Sequence, residues 1–180
     1  MDSESLLWPA RAFIYAHFAA TARAPLAAEV AREFGLTVGE AEAVLRALHE
    51  RHALFLEPGT ARIRMANPFS AIETPFQTTV AGKTYFANCA WDTFGVAAAL
   101  QVDDAEIRSV CAASGAPIRL RVAGGAVVSA DQAAGAEETA NGGAGKRADT
   151  QVRPYGIHRG GAVVHFLVPF AHWYDDLVHT

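Results

Sequence analysis

The stretch "QTTVAGKTYFANCAWDTFGVAAAL", residues 77–100, decides the fold because its two halves predict different structures. Residues 77–87 predict a β-hairpin that turns at Ala81–Gly82. Residues 89–100 are apolar nearly all round, which predicts a buried helix of about three turns with Asn88 as its N-cap. A hairpin that leads into a buried helix indicates an α+β core.

Upstream of this core, apolar residues at helical spacing predict three helices. The first is expected to begin near Trp8, because Pro9 is tolerated only in a first turn. The second is expected to stop at Gly35, and the third to take Thr37 as its N-cap. The apolar faces of the second and third helices are predicted to contain Leu26, Val30, Phe34, Val38, Ala41, Val44, Leu45 and Leu48.

The third helix is followed by "ALFLEPGTARIRM", residues 53–65, which predicts two short strands around Pro58–Gly59. Three helices and a hairpin in this order are typical of a winged helix-turn-helix. The chain is therefore predicted to have two domains, a winged-helix-like domain at 1–66 and an α+β core at 67–180 with a mixed or antiparallel sheet.

The rest of the core domain contains further strand signals. Residues 105–128 predict a strand, a turn, a second strand and a further short strand. Residues 129–149 are rich in alanine, glycine and polar residues without a period, which predicts a surface loop. The segment "GGAVVHFLVPF", ending at residue 170, predicts a final strand that stops at Pro169.

Composition limits the classes of partner. The net charge is −4 and the pI is near 5.9, which argues against nucleic acid as the main partner. The sequence contains no run of about 18 apolar residues, so no membrane span is predicted. The acidic N-terminus does not resemble a signal peptide, and a cytoplasmic location is expected. The oligomeric state is left open.

Cys89 and Asp92 are the candidate reactive pair. Residues three apart share one face of a helix, so the thiol and the carboxylate should be neighbours. A position in the first turn of a helix is expected to lower the pKa of the Cys89 thiol, and apolar surroundings are expected to raise the pKa of Asp92. A thiolate beside a proton carrier suits chemistry at a soft metal such as mercury.

Plainer interpretations of these residues stay open. The spacing alone favours a plainer interpretation, in which Cys89 is a buried structural cysteine and Asp92 complements the helix dipole. Pairing of Cys89 with Cys111, or a zinc site shared between them, is a further alternative. The even spacing of His158, His165, His172 and His179 is interpreted as accidental, because a strand and Pro169 interrupt it.

Two motifs make the chain resemble the organomercurial (alkylmercury) lyase family. The first is an aromatic residue, a cysteine and Asp-Thr, present here as Tyr85, Cys89 and Asp92–Thr93. The second is "CAASGAP", residues 111–117. The likeness extends to the N-terminal helices and to "NPFSAIETPF", residues 67–76.

The resemblance implies a function and a set of site residues. In this family thiolates capture an organomercurial and an aspartate passes a proton to carbon, so that the hydrocarbon leaves and Hg(II) stays on sulfur. Cys89 and Asp92 match the catalytic cysteine and aspartate, and both are expected to contact mercury as substrate or product. Tyr85, Trp91 and Phe94 are the expected contacts for the substrate, a small organomercurial or another electrophile. Cys111 matches a cysteine that looks structural, and no cofactor is expected.

The family's second catalytic cysteine would fall at Thr180 or just beyond it, where the sequence ends. The resemblance therefore predicts a chain shortened at its C-terminus, with binding and with weak or no mercury turnover, or a lyase-type enzyme repurposed for another substrate. The alternative function is a non-catalytic winged-helix regulator or binding protein that senses a soft metal or an electrophile through Cys89.

Overall fold

Four helices accompany one β-sheet in residues 3–111 and 114–129, the part of the chain that the computed structural model describes. The helices are α1 (Ser3–Thr21), α2 (Ala27–Phe34), α3 (Val38–Glu50) and α4 (Ala90–Ala99). The strands are β1 (Phe55–Leu56), β2 (Ile63–Ala66), β3 (Phe69–Ser70), β4 (Gln77–Val80), β5 (Lys83–Ala87), β6 (Asp104–Val110), β7 (Pro117–Ala123) and β8 (Ala126–Ser129).

The sheet is antiparallel between every pair of neighbouring strands. Its strand order among the described residues is β1-β2-β3-β5-β4-β6-β7-β8. The predicted α+β class is therefore confirmed, and the sheet is antiparallel rather than mixed. The strand, turn, strand and short strand predicted within residues 105–128 are present as β6, β7 and β8.

Helix α1 is longer than the sequence predicts, because it begins at Ser3 and contains Pro9 in its interior. Proline cannot donate a helical hydrogen bond, and the prediction of a start near Trp8 followed from that. The prediction is wrong. Leu6, Leu7 and Ala10 are 6%, 1% and 1% exposed, so their burial offsets the hydrogen bond that Pro9 cannot make.

The boundary between α2 and α3 follows the local signals. Gly35 has a φ of 65° and caps the C-terminus of α2, as predicted. The Thr37 hydroxyl accepts from the N–H of Glu40, and the Glu40 carboxylate accepts from the N–H of Thr37 at 2.8 Å. Leu26 and Val38, predicted on apolar faces, are 61% and 49% exposed. That part of the prediction is wrong because both residues stand at helix starts, outside the buried stripe.

The hairpin β4–β5 turns at Ala81 and Gly82, with φ angles of 48° and 78°, which confirms the predicted turn. Two successive positive φ angles match the twist of a two-residue hairpin. The register places Thr78 opposite Tyr85 on one side and opposite Ile107 on the other. These side chains therefore share one face of the sheet.

Helices α1 and α4 both pack on this face. The Tyr85 hydroxyl donates to the carbonyl of Ala19 in α1 at 2.7 Å. The Thr78 hydroxyl donates to the carbonyl of Thr93 in α4 at 2.7 Å. Because adjacent strands carry these bonds, the two helices are held at fixed positions on the sheet.

An aromatic pair lies at the centre of the core between α1 and the sheet. Phe18 and Phe69 are 1% and 2% exposed, and their rings stack with centroids 5.1 Å apart.

We expect Phe18→Ala to lower the free energy of unfolding by about 3–5 kcal/mol, through lost burial and the cavity left behind. Urea denaturation measures this. The control is Trp8→Ala on the same helix, where the side chain is 60% exposed and a change within about 0.5 kcal/mol is expected. Equal losses in the two variants would contradict the packing described.

Helix α4 buries one face only. Thr93, Val96 and Ala97 are buried against the sheet, whereas Trp91 is 57% exposed. The prediction of a helix buried all round is therefore wrong: the apolar composition does not distinguish the face on the sheet from the face that carries Trp91.

The predicted domain boundary at residues 66 and 67 falls between β2 and β3, which pair with Met65 opposite Ser70. The described residues lie within one compact unit. Helices α1–α3 followed by the hairpin β1–β2, which turns around Pro58–Gly59 as predicted, give the element order of a winged helix-turn-helix. That assignment and the two-domain division stay predictions.

The predicted loop, apart from the backbone of Ser129, and the predicted final strand lie outside the described residues. None of the helices in the described ranges combines the length and the apolar content that crossing a membrane would need.

Candidate functional site

Cys89 and Asp92 lie together at the start of α4. Cys89 is the N-cap residue, with extended backbone angles of −149° and 176°, and Asp92 lies in the first turn. Both side chains are half-buried. The predicted neighbourhood is present, because Cys89 and Asp92 each shift the pKa of the other.

The electrostatics of the pair differ from the prediction for one partner. Burial raises the pKa of the Cys89 thiol, and the Asp92 carboxylate raises it further, whereas backbone N–H groups of Asp92 and Trp91 act in the opposite direction. The predicted lowering of the Cys89 pKa is therefore wrong. The helix start exerts the expected pull, but desolvation and the neighbouring negative charge outweigh it.

The prediction for Asp92 is confirmed. Burial raises the pKa of this carboxyl above its ordinary value, and hydrogen bonds from Asn88 and Cys89 oppose the shift. A protonated thiol that donates to a carboxylate thus favours one proton held within the pair. That proton can move from sulfur to oxygen when sulfur binds a metal.

Asn88 has a different role from the predicted N-cap, because Cys89 occupies that position. Its side-chain amide donates to Oδ1 of Asn67 at 2.9 Å and to Oδ2 of Asp92 at 3.3 Å. It also lies 3.3 Å from the carbonyl of Pro68 and 3.4 Å from that of Phe69. No local pattern in the sequence predicts this role. The one related signal is that Asn67 lies in residues 67–76, a segment that resembles the lyase family.

The three predicted substrate contacts lie in different surroundings. Trp91 is exposed and Phe94 is half-buried, with their ring centroids 6.4 Å apart. Tyr85 is 4% exposed in the core, and its hydroxyl is bonded to Ala19. The geometry brings Trp91 and Phe94 to the helix that carries Cys89 and Asp92, while Tyr85 supports the sheet beneath; substrate contact by each of the three stays a prediction.

The second cysteine does not pair with the first. Neither Cys89 nor Cys111 forms a disulfide, and both are half-buried. Within residues 3–111 and 114–129 no three His, Cys, Asp or Glu side chains gather as a metal-binding group. The four evenly spaced histidines, from His158 to His179, lie outside the described residues.

Comparisons with known proteins bear on the segment that holds this pair. The family model described as alkylmercury lyase matches residues 69–149, which include α4 and both cysteines. A search of curated proteins found no match.

Among solved structures, the crystal structure of the mercury-bound form of MerB2 aligns with a TM-score of 0.56 and 27% sequence identity. The alignment covers 68% of this chain and 58% of that chain. This chain therefore spans less than two thirds of the length of that structure.

Proposed function

We propose that Cys89 binds an organomercurial and that Asp92 protonates the carbon that leaves mercury, and the similarity of this chain to alkylmercury lyases supports the proposal. The observation that carries the proposal is the half-buried pair itself, in which the thiol and the carboxyl interact and both have a raised pKa. Soft thiolate sulfur is the ligand that soft metals prefer.

The capture step conserves protons within the pair. The Cys89 sulfur displaces the anion X⁻ from R–Hg–X, a sulfur–mercury bond forms, and the thiol proton passes to the Asp92 carboxylate. The products are R–Hg–S–Cys89, X⁻ and a protonated Asp92. Because burial raises the pKa of Asp92, the carboxyl retains this proton more readily than an exposed aspartate would.

The cleavage step returns the proton to carbon. The mercury–carbon bond breaks, its electron pair stays on carbon, and the Asp92 proton is transferred to it, so that R–H leaves. Asp92 is again a carboxylate and Hg(II) remains on the Cys89 sulfur. Two thiols from solution then remove the metal: their sulfurs bind Hg(II), the Cys89–mercury bond breaks, one of their protons returns to the Cys89 sulfur and the other passes to water, since thiolates exchange readily at soft metals.

The organic group of the substrate is expected to lie against Trp91 and Phe94. The two rings meet edge to face, at an interplanar angle of 62°, and such a surface accepts an aromatic or alkyl group. Aryl mercurials such as phenylmercury are therefore the substrate class of choice for the assay.

The proposal is tested with phenylmercury acetate and an excess of a small thiol, by measuring benzene with gas chromatography. We expect benzene in amounts that exceed those from a Cys89→Ala variant and that grow with time. The Cys111→Ser variant, which keeps Cys89 and Asp92, serves as the matched control and should keep the wild-type rate. Benzene no higher than in the Cys89→Ala sample would reject lyase activity.

A soft-metal sensor that binds DNA is the alternative function, and the charges on α3 do not favour it. Arg46 pairs with Glu42 of the same helix at 3.0 Å, so this guanidinium is already neutralised by a neighbouring carboxylate. Affinity for DNA rises with the number of unneutralised cations that reach phosphates. A gel shift on DNA that responds to Hg(II), without benzene release, would support the sensor.

A further inference from the structure

We propose that Asn88 is a positioning residue that fixes the Asp92 carboxylate against residues 67–69, and that α1 takes part in this arrangement through Tyr15. The inference rests on the proposed function, because it assigns to Asp92 the role of proton donor. It concerns a set of contacts that reaches from the N-terminal helix to that carboxylate.

The first part of the argument is the alignment of three residues on α4 and its start. Asp92 and Gly95 are three positions apart in α4, so they face the same way, and Asn88, which precedes the N-cap Cys89, reaches Oδ2 of Asp92 at 3.3 Å. A methyl group built at Gly95 would lie 2.9 Å from Cβ of Pro68 and 3.9 Å from Oδ1 of Asp92. Residues 67–69 therefore lie so close to α4 that a side chain larger than that of glycine at position 95 would force them apart.

The second part is the bridge that Asn88 makes between this segment and Asp92. One side-chain amide lies within hydrogen-bonding distance of Oδ1 of Asn67, at 2.9 Å, and of Oδ2 of Asp92, at 3.3 Å. A primary amide has two N–H donors, so it can serve both acceptors at once. Asp92 is thereby connected to a segment that lies outside its own helix.

The third part is the attachment of that segment to α1. The Tyr15 hydroxyl donates to the carbonyl of Asn67 at 2.8 Å, and Arg11 donates to the same hydroxyl at 3.1 Å. The Arg11 guanidinium also lies over the Tyr15 ring, 4.5 Å from its centroid. These contacts fix Tyr15, and through Asn67 and Asn88 they define where the carboxylate of Asp92 points.

The arrangement matters for proton transfer because the donor must lie at hydrogen-bonding distance from the carbon it protonates. A carboxylate free to rotate about its side-chain bonds would spend part of its time directed away from the Cys89 sulfur. Misplacement of a catalytic group by about 1 Å lowers rates by up to about 100-fold. Capture of mercury by Cys89 does not depend on this alignment.

The test compares Asn88→Ala, Gly95→Ala and Gly39→Ala. Asn88→Ala removes the bridge, and Gly95→Ala pushes residues 67–69 away while both Asn88 and Asp92 stay in the sequence. Gly39→Ala is the matched control, because Gly39 lies in α3 with open space around the added methyl group. Alanine favours a helix more than glycine does, so a loss of activity in Gly95→Ala cannot come from a weaker helix.

For benzene release from phenylmercury, we expect kcat to fall about 10- to 100-fold in Asn88→Ala and Gly95→Ala, with KM nearly unchanged. Gly39→Ala should keep both constants. Wild-type kcat in both Asn88→Ala and Gly95→Ala would overturn the proposal, and so would a rise of KM without a fall of kcat.

A second readout does not require turnover. In a ¹⁵N–¹H spectrum the Asn88 side-chain amide is assigned by its loss in Asn88→Ala. Its signals should shift in Asp92→Ala and in Gly95→Ala, and should stay in place in Gly39→Ala. If they shift but no variant releases benzene, the arrangement stands and the lyase function fails; if they do not move, the positioning role of Asn88 is rejected whatever the activity.

Discussion

Replacing Cys89 with serine should abolish retention of phenylmercury by the folded protein. After incubation with one equivalent of phenylmercury and gel filtration in thiol-free buffer, so that no thiol from solution removes the metal, mercury analysis should find mercury in the wild type and not in Cys89→Ser. Removing a residue that only hydrogen-bonds to a metal ligand already lowers the affinity for the metal about 10- to 100-fold. Loss of the sulfur ligand itself should therefore lower it by more than about 100-fold.

The matched control for this prediction is Cys111→Ser. Neither cysteine forms a disulfide and both are half-buried, so the two variants differ in which thiol is lost and not in the kind of substitution. Cys111→Ser should retain one equivalent of phenylmercury. The opposite pattern, with retention in Cys89→Ser and loss in Cys111→Ser, would move the binding site to Cys111 and remove the basis of the proposed function.

The elements predicted correctly from the sequence are those specified by neighbouring residues. Thr37 and Glu40 form a reciprocal cap three residues apart, and Ala81 with Gly82 forms a turn between strands that pair with each other. The spacing of Cys89 and Asp92 is of the same kind, because one helical turn is enough to make them neighbours. Such signals are complete within a few residues of sequence.

The features that the sequence did not predict depend on residues far away in the chain. Asn88 bonds to Asn67, 21 residues earlier, so no local pattern distinguishes it from an N-cap. The pKa of Cys89 was predicted from the helix start alone, whereas burial has the larger effect. Burial depends on the packing of whole elements, and hydrophobic periodicity describes only one element at a time.

Replacing Asp92 with asparagine should separate binding from cleavage. Asparagine has nearly the same size and keeps an oxygen that accepts from Asn88, but it has no proton to give to carbon. We expect Asp92→Asn to retain phenylmercury on Cys89 and to release benzene about 10²- to 10⁴-fold more slowly, which is the usual contribution of a positioned general acid. Single-turnover measurements at saturating protein report the cleavage step directly.

The pH dependence of cleavage follows from the raised pKa of Asp92. The step requires the protonated carboxyl, and burial keeps that form present to a higher pH than in an exposed aspartate. The wild-type cleavage rate should therefore be constant at low pH and fall as the pH rises through the raised pKa. Asp92→Asn should lack this fall. A wild-type decline near the ordinary value of 3.8 would contradict the role assigned to burial.

The stability of the same variant provides the control against misfolding. A carboxyl whose pKa is higher in the folded than in the unfolded state binds more protons when folded, so its contribution to stability is present below the unfolded value and is lost as the pH rises through the folded value. At neutral pH the half-buried carboxylate of Asp92 is therefore unfavourable, and Asp92→Asn should unfold at an equal or higher urea concentration than the wild type. The difference should shrink toward acid pH. A slow but stable Asp92→Asn variant would attribute the lost cleavage to the missing proton, whereas a variant that unfolds more easily at neutral pH would show that the carboxylate supports the fold.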